Sequence, residues 1–289
     1  MDVPVQEVLR PATVSEAVAV LAARPDARPV AGGTDLLVQL RDGRRSVGCL
    51  VDLDGLGLAG IRRTSDGIEI GAATPMDRIA ADAGIRALFP ALAAAAGTVG
   101  AWPIQCRATL GGNLANASPA ADTAPALLVA GAVLAIAGPG GTRHLPVGEF
   151  FLGPGRCALA SGELLVSVAL PLATVAPARR VMERFVKVGP RREQVISVVS
   201  FAGRAVVRPD GTVEAVRLAL GSVAPTPVRA RRAEAAVSGR RPEEAVRREA
   251  AVALQRDIAP IDDVRAPAAY RRVAAAVLLD RFLREAGGD

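Results

Sequence analysis

Two short stretches gather the residue types that could do chemistry. The first is "AGGTDLL", Ala31–Leu37, which follows a short β-like run, "RPVA". Gly32 and Gly33 permit torsions closed to other residues and let a ligand approach the main chain. Successive N–H groups in such a turn form a concavity for an anion such as a diphosphate, and Thr34 adds a hydroxyl. The second is "TLGGNLANASPAADTAPALL", residues 109–128. There Gly111 and Gly112 expose backbone, Thr109 and Asn113 supply side-chain hydrogen bonds, and Asp122 heads an apolar helix with Pro125 in its first turn. The Asp122 carboxylate has two readings of equal weight: an N-cap of that helix, or an acceptor for sugar and polyol hydroxyls. A strand-end glycine pair, taken alone, also reads as a plain turn. Occurring together, each after a β-like run, one stretch suits phosphates and the other a polyol and base, which describes a long dinucleotide. The spacing is neither GxGxxG nor a P-loop, so those nucleotide folds are not supported.

The other reactive groups are few. Lys187 is the only lysine and His144 the only histidine. Cys49, Cys106 and Cys157 form no CxxC pair and are too few for a four-cysteine iron–sulfur cluster. Such thiols, with no leader expected at the N-terminus, fit a cytoplasmic chain. The net charge of +6 invites a nucleic-acid reading, but arginines scattered among 29 acids and an aromatic content of 3% argue against it. The uncharged stretch Thr123–Thr142 is broken by Pro125, Gly131 and Gly138–Gly141, leaving too short a run to span a membrane. A composition 51% hydrophobic and 22% charged is that of a folded chain whose core is built from small side chains.

The elements that must position these residues follow from periodicity and turn signals. Thr13–Arg24 reads as an amphipathic helix capped by Ser15. Cys49–Leu53, Ile61–Thr64 and Ile68–Ala72 read as strands, the last two joined at "SDG". Helices are expected around Pro75–Ala83, Pro90–Ala96 and Thr123–Ala130, then a hairpin through "GPGG" and a strand over Glu163–Leu170. The Pro/Ala-rich "PLATVAPARR" is the best domain boundary. Beyond it, long β-like runs precede Arg/Ala/Glu-rich helices around Arg229–Ser238, Pro242–Gln255 and Ala268–Glu285, an α+β pattern.

With these residues in place, "VAGGTDLLVQLRDG", "IGAATPMDRI", "TLGGNLANASPAADTAPALLVAGA" and "RFVKVGPRREQVISVVS" closely resemble the FAD-binding (medium) subunit of molybdenum hydroxylases of the xanthine dehydrogenase and carbon monoxide dehydrogenase type. The resemblance runs in order from about residue 4 to 286, and the TxGGNxxxxSPxxDxxP pattern is its most specific part. It implies an α+β chain with an FAD-binding region (PCMH-like) over 1–173, of two subdomains about 1–58 and 59–173, then a C-terminal α+β domain over 179–289. FAD, held non-covalently, is expected in the cleft between the two. Residue by residue, Ala31, Gly32, Gly33, Thr34 and Asp35 match the family's diphosphate loop, flanked by Val30 and Leu36. Gly100, Ala101 and Ile104 match a segment on the adenine side. Thr109, Gly111, Gly112, Asn113 and Asp122 match the second loop, with Asp122 on the ribityl or ribose hydroxyls. Lys187 matches a lysine beside the isoalloxazine ring, and Leu159, with Leu152 as an alternative, an apolar residue covering it. The chain departs at "RREQV", with Val195 where the family often has Asp, so that segment is assigned to packing only.

The resemblance further implies a large partner carrying the molybdenum cofactor, a small partner carrying two [2Fe–2S] clusters, and electrons leaving to NAD or another acceptor. It implies no metal site, no nucleic acid and no membrane span. A stand-alone FAD oxidoreductase on the same fold is the alternative, although this histidine-poor chain offers it no convincing acid or base. A flavin-free scaffold or nucleic-acid binder is the third reading, opposed by the intact glycine stretches and Asp122.

Overall fold

The computed structural model describes residues 5–172, 175–191 and 193–288. Residues 173 and 174 of the expected boundary segment, and residue 192 of "RREQV", lie outside the described residues.

The chain opens with a small parallel sheet in the order β1-β3-β2, built from β1 (Glu7–Leu9), β2 (Ala27–Val30) and β3 (Cys49–Asp52). The crossover helix α1 (Val14–Ala23) buries Ala17, Val18 and Leu21. Its cap is Thr13, not Ser15: the Thr13 hydroxyl accepts from the Glu16 amide at 3.1 Å. Parallel strands need such a crossover, and the return along β2 delivers the chain to the first glycine turn. A short helix, α2 (Leu36–Arg41), follows that turn and was not legible as one in the sequence.

A five-stranded antiparallel sheet comes next, in the order β4-β5-β10-β6-β7. Its strands are β4 (Ile61–Arg63), β5 (Gly67–Gly71), β6 (Val133–Gly138), β7 (Gly141–Pro146) and β10 (Leu164–Pro171), with a two-stranded ribbon of β8 (Phe151–Gly153) and β9 (Arg156–Cys157) before β10. Between β5 and β6 the chain makes a helical excursion. The helix expected over Pro75–Ala83 ends sooner, as α3 (Met76–Ala81), because Asp82 turns extended and caps a further helix, α4 (Ala83–Leu88), by accepting from the Ile85 amide at 2.8 Å. Then come α5 (Pro90–Ala96), α6 (Trp102–Gln105), α7 (Leu110–Ala115) and α8 (Thr123–Ala130). The second glycine stretch therefore follows a short helix, not a strand, and both its glycines lie inside α7. Every residue of α8 is buried, which is why its sequence is apolar all round.

The last third is a four-stranded antiparallel sheet, β11 (Arg180–Val188), β12 (Val199–Val207), β13 (Val213–Gly221) and β14 (Val228–Arg229), followed by α9 (Arg231–Val237), α10 (Glu244–Leu254) and α11 (Ala268–Gly287). This sheet is sandwiched. On β12 and β13, Ala202 and Ala219 face the core that contains α5 and α8, while Phe201, Ala205, Leu218 and Leu220 face the core made with α9–α11. The alternation is the period-2 pleat of a strand buried on both sides. Glu183 of β11 stands opposite Arg204 of β12 and ties the first face down: its carboxylate takes the Arg204 guanidinium at 2.5 Å and the Ala91 amide at 3.2 Å, at the start of α5.

Candidate functional site

The first glycine stretch is positioned by β2, whose last residue, Val30, accepts from the Leu53 amide at 3.0 Å. A Cβ on Gly32 would lie 1.7 Å from the carbonyl oxygen of Arg107, so only glycine allows this turn to rest on the backbone before α7. Gly33 has φ +70, and its carbonyl accepts from Leu37 at 3.1 Å to start α2. Among the described residues, the amides of Gly32, Gly33, Thr34, Asp35 and Leu36 donate to no acceptor. A run of unspent amides leading into a helix is a ready anion site. The Asp35 carboxylate is itself engaged, accepting from the Gln39 side chain.

The second stretch is organised differently. Leu110 donates to Thr74 at 3.1 Å, Gly111 to Ala72 at 2.7 Å, and Asn113 to the Thr109 carbonyl at 3.0 Å. The Thr109 hydroxyl caps α7 by accepting from Gly112 at 3.1 Å. These amides are spent within the protein, so this stretch holds no amide cradle. Gly111 is buried with no room for a Cβ, which would meet Ala72 at 2.8 Å. Gly112 is exposed, and a Cβ there would meet only the Thr109 hydroxyl, at 3.0 Å. The Asn113 carbonyl oxygen accepts from the Thr123 hydroxyl at 2.6 Å, which orients the Asn113 side chain.

Asp122 occupies the N-cap position of α8, but its side chain makes no capping hydrogen bond. One carboxylate oxygen accepts from the Lys187 ammonium at 2.6 Å and the other from the Ser197 hydroxyl. Lys187 also donates to the Thr98 carbonyl at 2.9 Å. The Asp122 and Lys187 side chains are each only 7% exposed. Burial pushes the Asp122 carboxyl above its ordinary range, and Lys187 and Ser197 oppose that rise. Two residues expected as separate ligand contacts thus meet as one buried pair, drawn from the head of α8 and from β11. Ser197 completes the cluster. Its only signal in the sequence is a hydroxyl interrupting the apolar run Val195–Val199.

Two segments flanking strands of the third sheet bond to the region around α6–α8. Gln194 donates to the carbonyl of Gly100 at 3.1 Å, and Ser222 to that of Pro119 at 2.8 Å. Gly100, at φ +58, folds back onto Ile104, while Ala101 is buried at the start of α6. Leu159 is half-buried against the core around the five-stranded sheet, and Leu152 is 58% exposed on β8. His144 is exposed on β7, opposite Ala135 of β6.

The Gly32 turn, with its unspent amides, thus rests on the backbone just before α7, and Lys187 and Asp122 form a buried pair at the head of α8. The comparisons with known proteins identify the family. A family model described as the FAD binding domain in molybdopterin dehydrogenase matches residues 4–173, and one described as the CO dehydrogenase flavoprotein C-terminal domain matches residues 184–286. The chain belongs to this family of molybdopterin dehydrogenase FAD-binding subunits. It is 36% identical to the xanthine dehydrogenase FAD-binding subunit of Escherichia coli O157:H7 over 227 residues, covering 78% of this chain and 76% of that protein. A chain of the solved structure of carbon monoxide dehydrogenase from Hydrogenophaga pseudoflava, which lacks the Mo-pyranopterin moiety of the molybdenum cofactor, superposes with a TM-score of 0.92 at 30% identity, over 99% of this chain and 98% of that one. The quinoline 2-oxidoreductase of Pseudomonas putida 86 does so at 0.91 and 28%, over 100% and 99%. No helix among the described residues is long and apolar enough to cross a membrane.

Proposed function

We propose that the chain is the flavin relay of a heteromeric molybdenum hydroxylase. In this reading the amides of Gly32–Leu36, with the Thr34 hydroxyl, take the diphosphate of FAD, flanked by Val30 and Leu36. The exposed face of Gly112 and the fixed side chain of Asn113 border the polyol. Gly100, Ala101 and Ile104 border the adenine side, and Leu159 covers the ring. Bound FAD supplies chemistry that side chains lack, since it takes up single electrons and releases a pair. Lys187 contributes a cation held at a fixed place by Thr98 and Asp122, preorganised so that it need not move when charge develops nearby. Asp122 balances that cation, and Ser197 fixes the carboxylate.

Electrons would reach this chain from two [2Fe–2S] clusters of a small partner and leave to NAD or another carrier in the cytoplasm. Substrate oxidation would belong to a large partner with the molybdenum cofactor. Enzymes named for xanthine, carbon monoxide and quinoline match one and the same fold here, which supports placing substrate choice in another chain. The observation that carries the reading is the run of unspent amides at Gly32–Leu36 resting on the Arg107 backbone. The test is the visible spectrum of the chain purified gently from its own cells. Flavin bands with iron–sulfur absorption from co-purifying chains are expected. Folded protein without flavin would refute the cofactor assignment, and flavin without any partner would refute the relay.

A further inference from the structure

Helix α11 carries two apolar faces. One, with Ala275, Leu278, Leu279, Phe282 and Leu283, is buried in the core beneath the third sheet. The other is turned outward: Tyr270, Val273 and Val277 are 51%, 64% and 43% exposed. Their i, i+3, i+7 spacing places them in one stripe along the helix. Beside this stripe a groove of about 670 Å3 runs between α10 and α11, and its lining includes Ala251, Val273, Ala276 and Val277. Val252 of α10 is exposed at 62%. The two alanines keep the centre shallow and let another backbone come close. Single exposed apolar residues are ordinary, but an ordered stripe along a groove marks a contact surface.

The rim carries positive charge. Arg248, Arg272, Arg281 and Arg284 line the groove with Asp280, beside a buried Arg247. Arg248 pairs with Glu244, and Asp280 serves Arg247 and Arg284. Arg272 donates only to the neutral Gln255, and Arg281 has no carboxylate partner among the described residues. We infer that this groove docks an amphipathic helix of a partner chain, with apolar residues at i, i+3 and i+7 flanked by aspartate or glutamate. Helix-in-groove recognition reads this spacing of anchors, and the arginine rim selects the sign of the flanking charge. A second copy of this chain is a poor occupant, since an isologous contact would set one arginine rim against the other. A phosphate backbone would meet the rim but leave the apolar stripe unfilled.

The position tells what such docking is for. Helices α9–α11 cover the face of the third sheet opposite α5 and α8. A helix seated on α10 and α11 is therefore separated from the Lys187–Asp122 pair by a helical layer and a sheet. It would hold chains together without covering the flavin region. The inference rests on the multi-chain reading above for the source of the helix.

The probe is a short synthetic helical peptide with leucines at i, i+3 and i+7 between glutamates, titrated against the full chain by fluorescence anisotropy. Controls are a scrambled peptide of the same composition and one with lysine in place of glutamate. Val273→Asp and Arg281→Glu should each weaken binding about tenfold or more, a loss of about 1.4 kcal/mol, while Arg45→Glu, remote in sequence and exposed, should not. Both variants change exposed residues, so unchanged melting curves exclude unfolding. In the complex purified from its own cells, amide exchange across residues 270–277 should slow relative to the isolated chain. Equal binding of the scrambled peptide, no effect of Val273→Asp, a dimer that Val273→Asp abolishes, or unchanged exchange in the complex would overturn the inference. Flavin content separates the two ideas: a flavin-loaded chain that ignores the peptide removes only the docking surface, and a flavin-free chain that binds it removes only the relay.

Discussion

Replacing Lys187 with methionine tests the buried pair most directly. The substitution keeps the length of the stem, deletes the ammonium, and strands the Asp122 carboxylate in a site where its side chain is 7% exposed. Removing one member of a buried pair typically costs about 3–5 kcal/mol, because the other charge stays without compensation. For a chain of this size that corresponds to a melting point lower by roughly 10 °C. The cost has a pH signature whose sign follows from Asp122. A carboxyl whose folded-state pKa is raised holds its proton more tightly when folded, so its stabilisation is full at low pH and is lost as pH climbs from the unfolded value through the raised one. Burial already raises Asp122 in the native chain, with Lys187 opposing the rise. Without Lys187 the window extends upward, and the deficit of Lys187→Met should be larger at about pH 8 than at about pH 5. Adding Asp122→Asn removes the titrating group, so the double variant should recover much of the loss and show no extra pH slope. Melting curves of the two variants and the native chain at both pH values decide the matter. A deficit below about 1 kcal/mol, the range of exposed pairs, or one independent of pH, would refute the account of Lys187 and Asp122 as a buried, mutually dependent pair.

The two glycine stretches make opposite predictions. Gly32→Ala drives a Cβ into the Arg107 carbonyl and should lower both the melting point and the flavin content. Gly112→Phe places its bulk on an exposed position and should empty the flavin site with stability changed by only about 0.5 kcal/mol; retained flavin would remove Gly112 from the site. Thr109→Val deletes the hydroxyl that caps α7 and should cost about 1 kcal/mol in denaturant unfolding. Glu183→Gln leaves Arg204 without its counter-charge at the start of α5 and should cost about 3 kcal/mol. The denaturant midpoint reads that loss, and an unchanged midpoint would show that the ion pair is not what fastens the third sheet to α5.

How much of this was legible in the sequence depends on how local the signal was. The strands of the hairpin through Gly138–Gly141 and the apolar helix Thr123–Ala130 announce themselves by periodicity, turn residues and a proline in the first turn, and the structure places them within a residue or two. The glycine motifs were legible as motifs, but their roles were not. Both read as exposed backbone, yet the amides of Gly32–Leu36 are unspent while those of Leu110–Asn113 are consumed by Ala72, Thr74 and Thr109. That difference comes from β5 and its continuation, which supply the acceptors at Ala72 and Thr74, and no pattern within residues 109–128 carries it. Asp122 shows the same limit. Its neighbours in sequence argue for a helix cap, but its partners, Lys187 on β11 and Ser197 just before β12, come from a part of the chain that begins only after the first region is complete. A carboxylate beside an N-terminal turn caps it only if nothing stronger competes. Here an ammonium and a hydroxyl do compete, in a site dry enough that the pairing decides the carboxylate's conformation. The sole lysine of the chain was therefore the informative residue, because an ammonium at 7% exposure requires an anion, and Asp122 is the one the fold brings to it.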